Sequence, residues 1–187
     1  MATLELHGRA LRRFGDLVHS VGADQWHAPT PCTEWDVRQL VDHLVVEQLW
    51  VPAMVAGRTV QEIGDEFEGD LLGDDPVAAW DRASAAAGAA LAEPGALRRT
   101  VHLSYGDRSA EYYCAEMTAD LVVHSWDLAR AIGADEKLDP ELVDFTYELI
   151  APQVDALAHT GLFAPPVEVP PDADEQTRLL ALSGRRP

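Results

Sequence analysis

Apolar residues recur every three to four positions along much of the chain, which is the pattern of helices that bury one face. The first such stretch begins at Thr3, which we expect to cap a helix, and ends near Gly22. A second runs from about Glu34 to Ala56, and Thr33 and Asp36 at its start resemble a capping box. The inward positions of these two helices are Leu4, Leu11, Phe14, Leu17, Val18, Val37, Leu40, Val41, Leu44 and Val45.

Proline, glycine and capping residues mark two further long helices. Asp75-Pro76 supplies an N-cap and a first-turn proline for an alanine-rich helix that stops before Pro94-Gly95. The next helix begins at Ser109 or Ala110 and ends at Gly133. Between these two helices lies the one clear strand signal, which predicts an edge strand or a hairpin. Its apolar positions Val101, Leu103 and Tyr105 alternate with Thr100, His102 and Ser104.

The C-terminal part predicts shorter elements. Asp139-Pro140 starts a helix that Pro152 breaks or kinks, and Asp174 to Ser183 has the pattern of a short closing helix. We therefore predict a mainly α fold, with a bundle of four long helices and a strand or hairpin accessory over residues 1–162. Residues 163–187 are expected to form an extended tail whose closing helix packs on the bundle.

Composition narrows the setting in which such a bundle works. The 187 residues carry a net charge of −18, which argues against nucleic acid and anionic membranes as partners. Seven of the acids lie between Glu62 and Asp75, most simply in a solvated loop. No apolar run approaches the roughly 20 residues of a membrane helix, and the N-terminus does not resemble a signal peptide. Cys32 and Cys114 form no disulfide scaffold, so we expect a reduced, cytoplasmic protein.

Two ionisable residues interrupt the apolar stripe of the helix that ends at Gly133. Asp120 and His124 are one turn apart and project from the same side as Met117, Leu121 and Leu128. Buried ionisable groups are costly unless they are paired or bind an ion. His43, at the border of the apolar face of the second helix, is the best third ligand. Two imidazoles and a carboxylate are a donor set that zinc and neighbouring divalent ions use when a coordination position stays open.

Periodicity alone leaves other interpretations open. An Asp and a His four positions apart is also a common helix-stabilising pair, and a single mid-helix His is more often structural than a ligand. Glu47 and Asp127 are rival ligands, although either could instead support a ligand from behind or form a surface ion pair, and Glu116 is a weaker substitute. Asp127 has Arg130 at pairing distance along the helix. The remaining residues of interest are expected to be structural or to lie at the surface: His7, His19, His27, His102, His159, Cys32, Cys114, Trp35, Trp50, Trp80 and Trp126.

Three segments together resemble the DinB-like metal-binding family, in its actinobacterial branch related to the N-terminal domain of mycothiol-dependent maleylpyruvate isomerase. They are Thr30-Pro-Cys-Thr-Glu-Trp-Asp-Val-Arg-Gln-Leu-Val-Asp-His43, Asp120-Leu-Val-Val-His-Ser-Trp-Asp-Leu-Ala-Arg-Ala-Ile-Gly133 and Leu179-Leu-Ala-Leu-Ser-Gly-Arg185. The resemblance covers nearly the whole chain, and it implies a four-helix bundle of up-down-down-up topology. It also implies an actinobacterial source that uses mycothiol.

The same resemblance implies a divalent metal at His43, Asp120 and His124, most simply zinc, with nickel or another ion as an alternative. The isomerase has Glu where this chain has Asp120. The implied function is a metal-dependent and thiol-dependent transferase, with mycothiol as cosubstrate and an electrophilic small molecule as substrate. A metal-dependent hydrolase and a non-catalytic metal-binding or ligand-binding protein are the alternatives. Isomerisation of maleylpyruvate is not expected, since that enzyme uses an additional C-terminal domain. A homodimer is an expectation from the family only.

Overall fold

The computed structural model describes residues 2–154 and 164–187, and the described part is mainly helical. The helices and strands are α1 (Thr3–His19), α2 (Val37–Val55), α3 (Val60–Ile63), α4 (Pro76–Ala92), β1 (Thr100–Leu103), β2 (Gly106–Ser109), α5 (Ala110–Ile132), α6 (Pro140–Ile150) and α7 (Glu175–Leu182). Short 3-10 turns lie at Ala96–Arg98 and Ala151–Gln153. No helix in these described ranges is long and apolar enough to cross a membrane.

Helices α1 and α5 run parallel as neighbours in the bundle. The Thr3 hydroxyl donates to Glu111 near the start of both helices, and His7 contacts Thr118 one turn further along α1 and two turns further along α5. From the first contact to the second, the residue numbers increase in both helices, so the two helices point the same way. This orientation places the C-terminal half of α5, with Asp120 and His124, beside the second half of α1.

Helices α2 and α4 both run opposite to that pair. On α4, Asp81 contacts His19 near the end of α1, and Gly88 lies against Leu11, so the numbers run in opposite directions. On α2, His43 contacts Asp120 of α5, and the next turn of α2 faces the preceding turn of α5. The topology is therefore up-down-down-up, as the resemblance implied.

The ends of the helices show where local sequence signals are reliable. The predicted cap Asp75 and the predicted helix starts at Ser109, Asp139 and Asp174 are confirmed. The side chains of these four residues accept backbone N–H groups of α4, α5, α6 and α7. Gly133, in the left-handed conformation, ends α5.

The start of α2 differs from the prediction. The helix begins at Val37 rather than Glu34, and its N-cap is Asp36, in a reciprocal capping box with Gln39 rather than with Thr33. The reason is that Asp36 is held extended by a backbone bridge to Pro29, so the chain turns into the helix only after it. The prediction that Thr3 caps α1 is also wrong, since Ala2 occupies that position without a side-chain bond.

A two-stranded antiparallel hairpin, β1–β2, precedes α5 and confirms the hairpin accessory. Val101 is buried as the alternation predicted, but Tyr105 lies in the turn and is 55% exposed. The acidic segment from Glu62 to Asp75 is only partly a loop. Its start belongs to α3, and the buried side chains of Ile63 and Leu72 anchor it to the protein. The burial of these two apolar residues was not predicted from the sequence.

The core extends through the whole bundle in two clusters. The larger contains Phe14 of α1 packed on Trp80 of α4, with ring centroids 4.7 Å apart, and it reaches Leu179 and Leu180 of α7. The smaller cluster joins the hairpin to the far end of α2, α4 and α5. Aromatic and aliphatic burial on this scale holds the helix backbones in place, and with them any side chains that project between them.

The tail returns to the bundle after the gap in the described residues. Helix α7 packs on α6, and the N–H of Val167 donates to the carbonyl of Ala181, which folds the extended segment back on the helix. The expected boundary at residue 162 lies outside the described residues.

A glycine at the end of α7 is required by this close approach. Gly184 has φ +82°, and a Cβ there would lie 2.6 Å from the Cβ of Ala164. We expect Gly184→Ala to lower the free energy of unfolding by about 2 kcal/mol, because the backbone is unfavourable for alanine and the neighbouring chain must move. Urea unfolding compares this variant with Gly57→Ala, where φ is also positive but the added Cβ meets no atom within 4 Å. Equal losses in both would exclude the contact with Ala164 as the cause.

Candidate metal centre

Helices α2 and α5 bring three predicted ligands together. His43 Nε2 lies 3.1 Å from one carboxylate oxygen of Asp120, and His124 Nε2 lies 3.5 Å from the other. One donor atom of each residue falls within 4.8 Å of the other two. Among the described residues, no other group of three or more His, Cys, Asp or Glu side chains converges in this way. The three residues that burial and helical spacing single out therefore lie together in the folded chain.

The cluster is accessible from one side. The side chain of His124 is only 6% exposed, whereas those of His43 and Asp120 are 28% and 23% exposed. Burial favours the neutral form of Asp120, but the two imidazoles outweigh this and hold the pKa of its carboxyl well below its usual range. Burial likewise opposes charge on His43, yet the hydrogen bond with Asp120 raises the pKa of His43. The carboxylate is thus ionised and ready to bind a cation.

Asp127 supports His124 from behind and is not itself part of the cluster. Its carboxylate is fully buried and accepts from His124 Nδ1 at 2.9 Å. Arg185, in the tail, donates to the same carboxylate at 2.8 Å. The expected pair of Asp127 with Arg130 is wrong, because Arg130 stacks on Trp126 and pairs with Glu136. Burial would raise the pKa of Asp127, but His124 and Arg185 lower it.

Trp35 is a site residue that the sequence reading treated as a packing group. Its ring centroid lies 4.6 Å from that of His43 and 5.7 Å from that of His124. It therefore covers one face of the cluster and, with His43, borders an open groove. The groove is lined by Trp35, Arg38, Gln39, Asp42, His43 and Asp70. A tryptophan in the loop before a helix has no periodic signal, so only the folded chain reveals this position.

Glu47, a rival ligand, and Glu116, the weaker substitute, each lie one helical turn from a residue of the cluster. Glu47 follows His43 by one turn, and burial together with the charge of Asp120 raises the pKa of its carboxyl to about 7. Glu116 precedes Asp120 by one turn and accepts from the hydroxyl of Tyr105. Neither carboxylate belongs to the triad, and both are polar groups beside it.

The remaining candidates have other partners. His19 and His27 are exposed and His102 is half-buried, and all three pair with aspartates, whereas His7 is buried against Thr118. His159 lies outside the described residues. Both cysteines are unpaired; Cys32 is half-buried in the loop before α2 and Cys114 is buried in the core. Burial raises the pKa of both thiols, so neither is an activated nucleophile.

The donor set fits a divalent metal ion. Two imidazole nitrogens and one carboxylate oxygen make the three-ligand set of an open zinc-type site, and two of the three side chains are accessible. A metal-binding histidine normally gives its other ring N–H to a carboxylate, and His124 does so towards Asp127. Asp120, although shorter than Glu, contacts both imidazoles, so the missing methylene does not separate the donors.

The chain is similar to known proteins over most of its length. Two curated relatives are 35% identical over 142 residues, 76% of this chain and 74% of theirs: the uncharacterized proteins MT0763 and Rv0738, from two strains of Mycobacterium tuberculosis. No solved structure matches the chain significantly. The sequence model of one family matches residues 7–129, which include all three residues of the cluster. The chain belongs to the family of the mycothiol maleylpyruvate isomerase N-terminal domain.

Proposed function

We propose that the protein is a metal-dependent enzyme that transfers a low-molecular-weight thiol to an electrophilic small molecule. The observation that carries the proposal is the convergence of His43, Asp120 and His124 within 4.8 Å at the edge of an open groove. Such a triad leaves coordination positions for a ligand from solution. Membership of a family named for a mycothiol-dependent isomerase makes mycothiol the natural thiol.

The three side chains would hold the ion, with zinc as the first candidate. A bound divalent ion supplies Lewis acidity, which lowers the pKa of a coordinated thiol or water. Asp127 keeps the His124 ring oriented, while Trp35 shields the cluster from water on one face. These residues make the site rigid on the α5 side and open on the α2 side.

The groove beside His43 is suited to a small polar molecule. Trp35 offers an aromatic surface and Arg38 a cation, which Asp70 and the carbonyl of Gly73 hold in place. The carboxyl of Glu47 has a pKa of about 7 and lies one turn from His43. It is therefore suited to take the proton that a thiol releases. The sulfur then forms the bond to the electrophilic carbon of the substrate, and the leaving group departs to solvent.

A test with a model electrophile separates this proposal from its alternatives. With chlorodinitrobenzene and mycothiol, we expect the zinc-loaded protein to accelerate C–S bond formation and chloride release. His43→Ala should lower the rate by about two orders of magnitude, the equivalent of roughly 3 kcal/mol of lost stabilisation. His19→Ala, which removes an exposed histidine that pairs with Asp81 and is not part of the triad, is the matched control.

Each other outcome contradicts the transferase. Turnover of ester or amide substrates without thiol indicates a metal-dependent hydrolase. Tight metal binding without turnover of either substrate class indicates a binding protein.

A further inference from the structure

The C-terminal tail contributes a buried cation behind the metal triad. Arg185 is almost fully buried, and its Nη2 and Nε donate to the two carboxylate oxygens of Asp127 at 2.8 and 3.3 Å. Its Nη1 donates to the carbonyl of Ser183 at 2.8 Å, which fixes the plane of the guanidinium. Two parallel bonds between a guanidinium and a carboxylate fix direction as well as charge.

Asp127 transmits this constraint to His124. An ionised carboxylate can only accept hydrogen bonds, so the contact at 2.9 Å requires the proton to be on Nδ1 of His124. In the neutral ring the lone pair is then on Nε2, the atom that faces Asp120. The ion pair thus selects the tautomer that can bind a metal.

We propose that Arg185 is a positioning residue, which through Asp127 holds the His124 ring with Nδ1 protonated and Nε2 directed at the triad. The inference rests on the proposed metal site. It makes the last residues of the chain part of the metal centre, although they follow His124 by about 60 positions. A tail that only stabilises the fold would leave the tautomer of His124 unchanged.

The first experiment needs no metal. Nitrogen NMR of the metal-free protein, recorded as a function of pH, reports which ring nitrogen of His124 carries the proton when the ring is neutral. We expect Nδ1–H in the wild type and a mixture of tautomers in Arg185→Gln. Arg186→Gln is the matched control, since that side chain is exposed and, in the described part of the chain, Arg186 accepts from Arg130 through its backbone carbonyl. An unchanged Nδ1–H tautomer in Arg185→Gln would overturn the proposal.

The second experiment measures affinity for Co²⁺ from its visible absorption. Loss of a partner behind a metal-binding histidine weakens binding roughly 10- to 100-fold. We expect this loss in Arg185→Gln, a smaller one in Arg185→Lys, and none in Arg186→Gln. Because Arg185 acts through Asp127, Arg185→Gln should have little further effect in an Asp127→Asn background. Additive losses would contradict the relay.

The two experiments separate failure of the relay from failure of the metal site. If the wild type binds no Co²⁺, the proposed function fails, while the NMR result still decides whether Arg185 sets the tautomer. Should Arg185→Gln not fold, Arg185→Lys retains the charge without the paired donors, and the same NMR measurement applies.

Discussion

Replacement of both His43 and His124 by alanine is expected to abolish metal binding. Protein purified without added metal should carry about one divalent ion per chain in the wild type and none in the double variant. Asp120 alone cannot retain the ion, since a single carboxylate binds zinc-type ions weakly compared with a set of three donors. Elemental analysis by mass spectrometry gives the stoichiometry and identifies the metal.

The double variant needs a control for folding. His19→Ala with His102→Ala removes two histidines that also pair with aspartates but lie outside the triad. This control should keep its metal, and circular dichroism should show the same helix content in all three proteins. Equal metal in the wild type and the His43, His124 double variant would remove the triad as the binding site.

A second large effect is expected at acid pH, from a histidine away from the triad. His7 is fully buried between α1 and α5, and burial lowers its pKa to about 4. Thr118 donates its hydroxyl to the carbonyl of Cys114 and so accepts from His7 Nδ1. Nε2 of His7 has no hydrogen-bond partner among the described residues, so a proton added there would be buried without an acceptor.

The sign of the effect follows from the lowered pKa. In the unfolded chain His7 takes up a proton near pH 6.5, whereas in the folded protein it stays neutral until about pH 4. Stability is therefore complete above pH 6.5 and falls as the pH drops towards 4, by about 3 kcal/mol from this residue alone.

Urea unfolding of the metal-free protein between about pH 7 and pH 4 tests this expectation. His7→Gln cannot titrate, so its stability should decline by about 3 kcal/mol less than that of the wild type over this range. The triad is present in both proteins, and its own titration cancels in the comparison. His19→Gln should follow the wild type, and parallel curves for His7→Gln and the wild type would refute the assignment.

Sequence reasoning could predict the fold because its signals are local. Caps such as Asp75-Pro76 and Asp139-Pro140 act within one turn, and apolar residues repeat at every turn. Each helix can therefore be predicted from its own residues. The start of α2 was displaced by three residues because a backbone bridge to Pro29 competes with the first turn. That competition is tertiary and leaves no trace in the spacing of apolar residues.

The triad was predictable for a similar reason, and its surroundings were not. Asp120 and His124 share a helix, and His43 is an ionisable residue at the edge of another apolar face. Arg185 instead reaches Asp127 from across the fold, where no periodicity connects them. Trp35 comes from a loop whose path depends on the packed helices. Contacts of this kind join residues that are distant in the sequence, and the spacing of residues along one sequence does not show which of them meet in the folded chain.

The parallel orientation of α2 and α4 has a consequence for how such proteins could diversify. Two parallel neighbours cannot be joined by a tight turn, so the chain between them must travel back along the bundle. Near the end of that return segment, Asp70 and Gly73 accept hydrogen bonds from Arg38 and hold it at the mouth of the groove. The packed helices thus hold the candidate metal-binding side chains, and the surface connection forms one edge of the groove. Changes of length and sequence in a connection cost little stability, so this edge of the groove can vary while the packing of the helices stays the same.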